Sequence, residues 1–272
     1  MPTVDALVTH PVKSLDPMPV DATDLVGGRL RHDREYALFD DDRELVNATR
    51  EPALHRVRSS YEPDTRTLTV REHDESSDAA VSFALDSERG EANAWFSDVL
   101  EYPVALVRDA GSGFVDRDYA KGPAVISTGT LEAIGDWFDL DPRNVRRRFR
   151  ANVVVDAEPF WEDRLWAGDD EVVDFRIGDV EFEGVGCCAR CVVPSRDPDT
   201  GAVIEDFQSR FVERREATMP AWADADALEH YYQVMALSRV HESEDGGTLS
   251  VGEEVEVLDR RPRDADAASA DA

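Results

Sequence analysis

The chain has 272 residues, with 30 Lys plus Arg against 59 Asp plus Glu, so its formal net charge is -29. A negative field of this size argues against nucleic acid and anionic membranes as partners. The length suits two modest domains or one large one, and a hydrophobic fraction of 42% is enough for a core.

Short strands dominate the first half of the chain. One helix is predicted over residues 90–100, where apolar residues from Ala92 to Leu100 fall on one face. The Gly/Asp/Arg-rich segment 109–122 indicates a domain boundary. Apolar runs and alternation predict strands at 3–9, 36–39, 44–48, 57–61, 67–71, 81–85 and 104–107.

The second half continues in the same way. A helix is predicted after Ser127, ending near Pro142, and another over 227–237. Many short strands with few helices indicate an α+β protein, mainly β with some α, built from barrel-like and mostly antiparallel sheets. The Asp/Ala-rich end is expected to be disordered. Strands are predicted at 124–127, 152–155, 172–177, 180–185 and 251–258.

Composition also bears on location. The acidic excess, with lysine only at Lys13 and Lys121, is typical of adaptation to high salt, so most carboxylates are interpreted as solvated surface groups. No apolar run reaches the roughly 18 residues of a membrane span. The N-terminus lacks the basic and apolar parts of a signal peptide. We expect a soluble, cytoplasmic protein with reduced thiols.

All three cysteines lie within five positions, at Cys187, Cys188 and Cys191. The Cys188/Cys191 spacing is that of half a zinc site, but a second ligand pair is lacking. A thioredoxin-like pair would open a helix, whereas a Val-Val-Pro turn follows here. Arg190 lies beside Cys191 and favours the thiolate, the form that binds metals and attacks electrophiles. The remaining alternatives are an inert buried thiol, a ligand of a metal-bearing cofactor and a sulfur-carrying thiol.

Basic residues concentrate between Arg143 and Arg150, where five arginines occupy eight positions. They either pair with the acidic surface or form an anion pocket, because guanidinium groups suit phosphate. On an extended chain, Arg148, Arg150 and Asn152 would share one face.

Lys13 and Ser14 follow a predicted strand, a place where an ammonium, a hydroxyl and backbone amides can surround a phosphate. Arg34 follows a turn in the same half. Together with the arginine run, these residues predict that both halves contribute positive charge to one anionic ligand.

These stretches resemble the MOSC-domain proteins that carry an N-terminal β-barrel domain, such as the amidoxime reducing components. In the first half, 10–14 is similar to Y-P-V-K-S, 28–34 to a glycine-to-D-R stretch and 49–52 to T-x-R-x-P. In the second half, the similar stretches are F-R-x-N at 149–152, W-x-E-D at 161–163, I-G-D at 177–179, C-x-R-C at 188–191, D-P-x-T-G at 197–201 and G-x-I-x-V-G at 247–252.

The resemblance implies a smaller MOSC N-terminal β-barrel-like domain over 1–110, a MOSC β-barrel over 111–258 and an acidic tail over 259–272. It implies a molybdenum pyranopterin cofactor, with Cys191 as metal ligand and catalytic residue. Pyridoxal phosphate binding is a further family-level association. The residues that match cofactor-binding positions are Lys13, Ser14, Arg34, Lys121, Gly122, Arg150, Asn152, Ala189, Arg190 and Tyr232.

The implied activity is the two-electron reduction of a small N-hydroxylated compound, such as an amidoxime or hydroxylaminopurine. Because no ferredoxin-like domain follows Leu258, the electrons are expected from an external ferredoxin or flavoprotein. The alternatives are a cysteine-based sulfur carrier and a non-catalytic cofactor carrier. Two departures from the family pattern bear on substrate and cofactor contacts: residues 193–196 replace T-T-V before D-P, and Ala189 stands where some relatives have serine.

Overall fold

The computed structural model describes residues 1–73 and 79–263, apart from the side chain of Glu242. The described α-helices are α1 Arg89–Leu100, α2 Thr128–Phe138, α3 Pro142–Phe149 and α4 Phe207–Ala217. The described strands are β1 Thr3–Thr9, β2 Met18–Val20, β3 Ala22–Val26, β4 Arg29–Leu30, β5 Tyr36–Asp40, β6 Leu45–Val46, β7 Val57–Glu62, β8 Thr67–Glu72, β9 Val81–Ala84, β10 Val104–Arg108, β11 Val125–Ser127, β12 Val153–Asp156, β13 Glu171–Ile177, β14 Val180–Ala189, β15 Gln233–Val240, β16 Thr248–Ser250 and β17 Val255–Pro262.

One large sheet joins the two halves of the chain. Its strand order is β17-β13-β14-β15-β11-β12-β1-β2, and all neighbours are antiparallel except the parallel pair β11 and β12. The N-terminal strand β1 pairs with β12 over Thr3 to Leu7. The segment that follows β1 is therefore held beside the segment that precedes β12. The predicted fold class, mainly β with some α, is confirmed.

The first half builds its own core from two smaller sheets and a helix. The sheets have the orders β10-β5-β6 and β7-β8-β9, and a third small sheet joins β16 to β3 and β4. Helix α1 contributes Ala92, Phe96 and Leu100 to this core, beside Tyr36 and Leu54. The predicted helix over 90–100 is confirmed, since one apolar face packs as its spacing indicates.

Helices α2, α3 and α4 cover one side of the large sheet. Ser127 caps α2 by accepting a hydrogen bond from the Thr130 amide. Asp141 caps α3 in the same way, and Pro142 occupies its first turn. Phe207 and Phe211 of α4 stack 6.2 Å apart, centroid to centroid, on the core between these helices.

Three predictions from the sequence are wrong. The extended chain that would place Arg148, Arg150 and Asn152 on one face is not observed. Arg148 lies in helix α3 and Arg150 caps its end, because the Asp-Pro pair at its start begins a helix. Pro142 thus begins a helix instead of ending one. The helix predicted over 227–237 is absent from that described segment, where a 3-10 turn at Ala225–Ala227 precedes β15. Strand β15 forms because it pairs with β14 and β11.

The chain end also differs from expectation. The closing strand was predicted to end at residue 258. Strand β17 instead pairs with β13 as far as Pro262. Residues 264–272 of the predicted acidic tail lie outside the described residues. Among the residues that are described, no helix combines the length and apolarity needed to cross a membrane.

Gly184 in β14 lies under the 3-10 helix Trp161–Leu165, and a Cβ added there would be 1.4 Å from the Leu165 carbonyl oxygen. We expect Gly184→Ala to lower the free energy of unfolding by about 3 kcal/mol or more, because backbone must move. Gly90→Ala in α1 meets nothing within 4 Å and should raise it by about 0.5–1 kcal/mol. Urea unfolding measures both changes, and equal stability of the two variants would contradict the packing described.

Glu162 in the same 3-10 helix is fully buried. Its Oε2 accepts hydrogen bonds from the Ser127 amide at 3.2 Å and the Thr130 hydroxyl at 3.0 Å. Burial, reinforced by the neighbouring Asp163 carboxyl, raises the pKa of Glu162. The folded protein therefore holds a proton that the unfolded chain releases at the same pH.

This raised pKa predicts a pH-dependent stability. As the pH rises from about 4.5 toward neutral, the Glu162 contribution to the free energy of unfolding should decrease, by up to about 1.4 kcal/mol per pH unit. Glu162→Gln should lose that contribution, whereas Glu158→Gln, which changes an exposed side chain, should keep it. Urea unfolding between about pH 5 and pH 8 tests this. Identical slopes in Glu162→Gln and the unchanged protein would contradict it.

Candidate functional site

A cavity of about 360 Å³ opens where the two halves meet. The β1–β2 connection, the segment after β6, the linker before β11, the end of α3 and the end of β14 all contribute walls. It contains all but one of the residues singled out from the sequence: Lys13, Ser14, Arg34, Lys121, Gly122, Arg150, Asn152, Ala189, Arg190 and Cys191.

Three of these residues have left-handed backbone conformations. The φ angles are 72° at Ser14, 51° at Arg34 and 60° at Arg150, which is an uncommon region for residues other than glycine. Arg150 takes it as the cap that ends α3. The Ser14 hydroxyl accepts a hydrogen bond from the Ala48 amide at 2.9 Å, and the Arg34 amide donates to the His10 carbonyl at 2.7 Å. Strained turns of this kind cluster at ligand sites.

Asp33 is the buried counter-charge behind the cavity. Its Oδ1 accepts from the His10 amide at 2.8 Å and from Asn152 Nδ2 at 3.0 Å, and its Oδ2 binds Arg34 Nη1. Burial alone would raise the pKa of Asp33, but the Arg34 guanidinium and the His10 contacts lower it well below the ordinary value. Asn152 Nδ2 also donates to the Val8 carbonyl, and its Oδ1 accepts from the Ala124 amide. The Asn152 side chain therefore links the two halves of the chain.

The cations differ in how far they are neutralised. Burial lowers the pKa of Arg150 to about 10, helped by the nearby Arg34 charge. Its Nη1 donates to the Leu15 carbonyl at 2.8 Å, but its buried Nη2 has no partner among the described residues. Lys13 is also buried, which lowers its pKa, although Asp116 opposes the shift. The cavity thus holds desolvated positive charge.

The linker supplies site residues that the sequence analysis missed. Lys13 Nζ donates to the Phe114 carbonyl at 2.7 Å and to Asp116 Oδ1 at 2.6 Å. Of the described residues that line the cavity, Asp116 alone carries a carboxylate. Arg117 and Thr49 line it as well. From the sequence, the Gly/Asp/Arg composition of the linker predicts a loop, but it does not indicate which of its residues contribute to a binding site.

Gly122 and Lys121, the two predicted site residues in the linker, make their polar contacts with other residues of the chain. The Gly122 amide donates to the Ser238 carbonyl at 3.0 Å, and a Cβ there would approach the Ser238 hydroxyl to 2.4 Å. Gly122 therefore allows the linker to pass against β15. Lys121 lines the cavity, and its Nζ lies 3.8 Å from Asp118 Oδ1.

The three thiols have different surroundings. Cys191 is exposed, and its Sγ accepts a hydrogen bond from the Thr49 hydroxyl at 3.5 Å. Cys188 is buried in the cavity wall, with its Sγ 2.9 Å from Arg190 Nη1 and 3.7 Å from Arg117 Nη1. Cys187 lies outside this cavity and packs against the core, and burial raises the pKa of its thiol well above the ordinary value. Cys191 is therefore the thiol accessible to a ligand from solvent.

Tyr232 is the one predicted site residue that does not line the cavity. Its hydroxyl donates to the Cys191 carbonyl at 3.1 Å, and its ring packs against Phe211 and Phe207. Burial raises the pKa of Tyr232 to about 12. Its position indicates that it supports the turn that carries Cys191.

The arginine run divides between two roles. Arg147 binds both oxygens of Asp199 at 2.8 Å, and Arg148 lies 3.3 Å from Asp197. These pairs match the alternative in which the arginines neutralise carboxylates. Arg150 alone of the run lines the large cavity.

Comparison with known proteins gives two family-model matches. The MOSC N-terminal beta barrel domain matches residues 1–103, and the MOSC domain matches residues 125–256. The mitochondrial amidoxime reducing component 2 of Macaca fascicularis is 27% identical over 292 residues, covering 93% of this chain and 82% of that protein. The human protein of the same name is 28% identical, covering 74% of this chain and 68% of that protein.

A molybdenum cofactor sulfurase of Caenorhabditis briggsae is also similar. It is 25% identical over 220 residues, a match that covers 74% of this chain but only 30% of that protein. The chain thus spans less than a third of the sulfurase.

Asp116 neutralises Lys13 in the absence of another anion, and this predicts an effect on ligand affinity. Asp116→Asn should bind inorganic pyrophosphate about tenfold more tightly than the unchanged protein, because the anion no longer competes with a carboxylate for Lys13. Asp136→Asn, at an exposed carboxylate of α2 outside the cavity, should leave affinity within about twofold. Titration calorimetry on cofactor-free protein measures both. Equal affinities for all three proteins would contradict this role of Asp116.

Proposed function

Since the chain belongs to the MOSC-domain proteins with an N-terminal MOSC β-barrel domain, we propose that its cavity binds the molybdenum pyranopterin cofactor and that the protein reduces N-hydroxylated compounds. The observation that carries the proposal is one cavity with buried cations on its walls and the exposed Cys191 thiol among its lining residues. The relatives connect the chain with proteins of molybdenum-cofactor chemistry, and two of them carry amidoxime reduction in their names.

The residues present fit such a group. A volume of about 360 Å³ lies in the range of small-molecule sites. Arg190 Nε is a buried donor without a partner in the described part of the chain, so the wall has unused capacity for anionic or carbonyl oxygens. A thiolate is a suitable soft ligand for a transition metal.

We assign roles to the chain's own residues on this basis. Lys13, Ser14 and Arg34 would hold the phosphate, and Arg150 and Arg190 would offset charge along the rest of the cofactor. Cys191 would hold the metal as a thiolate. When bound, the cofactor supplies the two-electron redox chemistry, while the protein supplies orientation and electrostatics.

The net reaction takes two electrons and two protons to convert an N-hydroxyl group into N–H and water. We propose that an external ferredoxin or flavoprotein supplies the electrons. We also propose a cytoplasmic, high-salt setting, which the acidic composition supports. The substrate class rests on the amidoxime reducing relatives, whose identity to this chain is at most 28%.

A sulfur carrier is the second candidate function. It is favoured by the similarity to a molybdenum cofactor sulfurase and by the exposure of the Cys191 thiol. In that case Cys191 would carry a persulfide. Native mass spectrometry separates the two functions, because a persulfide adds one sulfur atom and requires no pterin.

Cys191→Ser tests the proposed function. We expect it to lower kcat for benzamidoxime by at least about 100-fold, because the metal loses its thiolate. Its Tm should stay within about 2 °C, since the exposed side chain makes one weak hydrogen bond. Cys187→Ala is the matched control, as this thiol lies outside the cavity.

Three measurements decide the outcome: molybdenum content by elemental analysis, pterin fluorescence, and turnover with a chemical reductant. Full metal content and activity in Cys191→Ser would refute the assignment of Cys191. Wild-type protein that contains cofactor but reduces no N-hydroxylated compound would favour the non-catalytic carrier.

A further inference from the structure

A second, smaller cavity of about 30 Å³ lies next to the cofactor cavity. It is closed by parts of both halves: the β1–β2 connection, the 3-10 helix Pro52–Arg56, β7, α3 and the turn that follows Cys191. A water molecule needs roughly 10–15 Å³ of such space, so the cavity has room for a small ion. The polar residues that line it are Ser14, Asp16, His55, Arg58, Arg147, Arg148, Arg150 and Arg196.

Three lining side chains have buried nitrogen atoms without a hydrogen-bond partner: His55 Nε2, Arg58 Nε and Arg150 Nη2. The other nitrogens of Arg58 are engaged, with Nη1 2.6 Å from Asp199 Oδ1 and Nη2 2.6 Å from the His55 carbonyl. His55 itself is 8% exposed. Buried donors are almost always satisfied, so Arg58 Nε and Arg150 Nη2, together with His55 Nε2 in the tautomer that carries the proton on that atom, indicate a bound acceptor.

The charge around the cavity points to an anion. Five guanidinium groups line it, and three of them, Arg58, Arg147 and Arg148, pair with carboxylates of Asp16, Asp197 and Asp199. Within the described residues, Arg150 and Arg196 form no ion pair. Burial and the nearby arginines lower the pKa of His55 to about 4, so the imidazole is neutral at neutral pH. Arg150 interacts with the charges of Asp33, Asp16 and Asp116 without forming an ion pair with any of them. The cavity wall thus has positive charge that is only partly offset.

We propose that this cavity binds a chloride ion, held by His55 Nε2, Arg58 Nε and Arg150 Nη2. Water fits less well, because a water oxygen accepts about two hydrogen bonds and carries no charge to offset the arginines. A phosphate group fits less well too, because a cavity of about 30 Å³ is too small for its four oxygens. The ion would join the 3-10 helix and β7 of the first half to the end of α3.

Bromide replaces chloride in such a site and can be located by anomalous scattering. We expect crystals of the cofactor-free, full-length protein, grown in sodium bromide, to show an anomalous peak within hydrogen-bond distance of the three nitrogens. A water molecule there, in crystals whose surface bromides are visible, would overturn the proposal. So would a bromide that contacts none of the three donors.

A solution measurement tests the same site without crystals. Above the dissociation constant, each tenfold rise in potassium chloride should raise Tm by about 2–4 °C more than potassium gluconate of equal ionic strength. The matched salt removes the general screening expected for a chain of charge -29. Equal Tm values in the two salts would overturn the proposal.

Variants at His55 connect the effect to the cavity. His55→Leu removes one donor and should lose most of the chloride-specific shift, whereas His55→Gln keeps an N–H donor and should retain part of it. Arg56→Ala is the control, because this neighbouring side chain is half exposed, pairs with Glu72 and does not line the cavity. An unchanged chloride-specific shift in His55→Leu, or its loss in Arg56→Ala, would overturn the donor assignment.

Discussion

The structure depends on positive charge that is held away from water between the two halves of the chain. Removing an ion from water costs several kcal/mol unless partners replace the solvent. Here the replacement comes from both halves: Asp33 binds Arg34 beside it in sequence and Asn152 across the junction. Arg150 reaches back to the Leu15 carbonyl. The cation-lined cavity therefore requires residues of both halves.

Carboxylates at the junction have a different role from those on the surface. Asp16 and Asp199 lie between Arg58 and Arg147, so one network ties the first half to α3 and to the turn after Cys191. The sequence-based interpretation of acidic residues as solvated groups does not apply to these two. Because the arginines are largely buried, salt screens these pairs less than it screens exposed ones. The same network fixes the turn whose first part carries Cys191.

Alternation and helical spacing predicted most strands and the helices α1 and α2, because those elements bury one regular face. The same reasoning failed for α3, whose buried face includes Arg148 as well as Val145 and Phe149. Charge and residue type were enough to predict that Lys13, Arg34 and Arg150 lie around one site. Asp116 could not be predicted in this way, since its contact with Lys13 spans 103 residues and leaves no local pattern.

The C-x-R-C segment shows how sequence proximity can mislead about chemistry. Arg190 is adjacent to Cys191 in the chain, but its guanidinium contacts Cys188 and the Phe149 carbonyl. The arginine contact that the sequence suggested for Cys191 is therefore made with the buried thiol of Cys188 in the cavity wall. Cys191 has a hydroxyl beside it and solvent around it. A metal itself deprotonates a thiol that coordinates it, so in the proposed function Cys191 would need access more than a neighbouring cation.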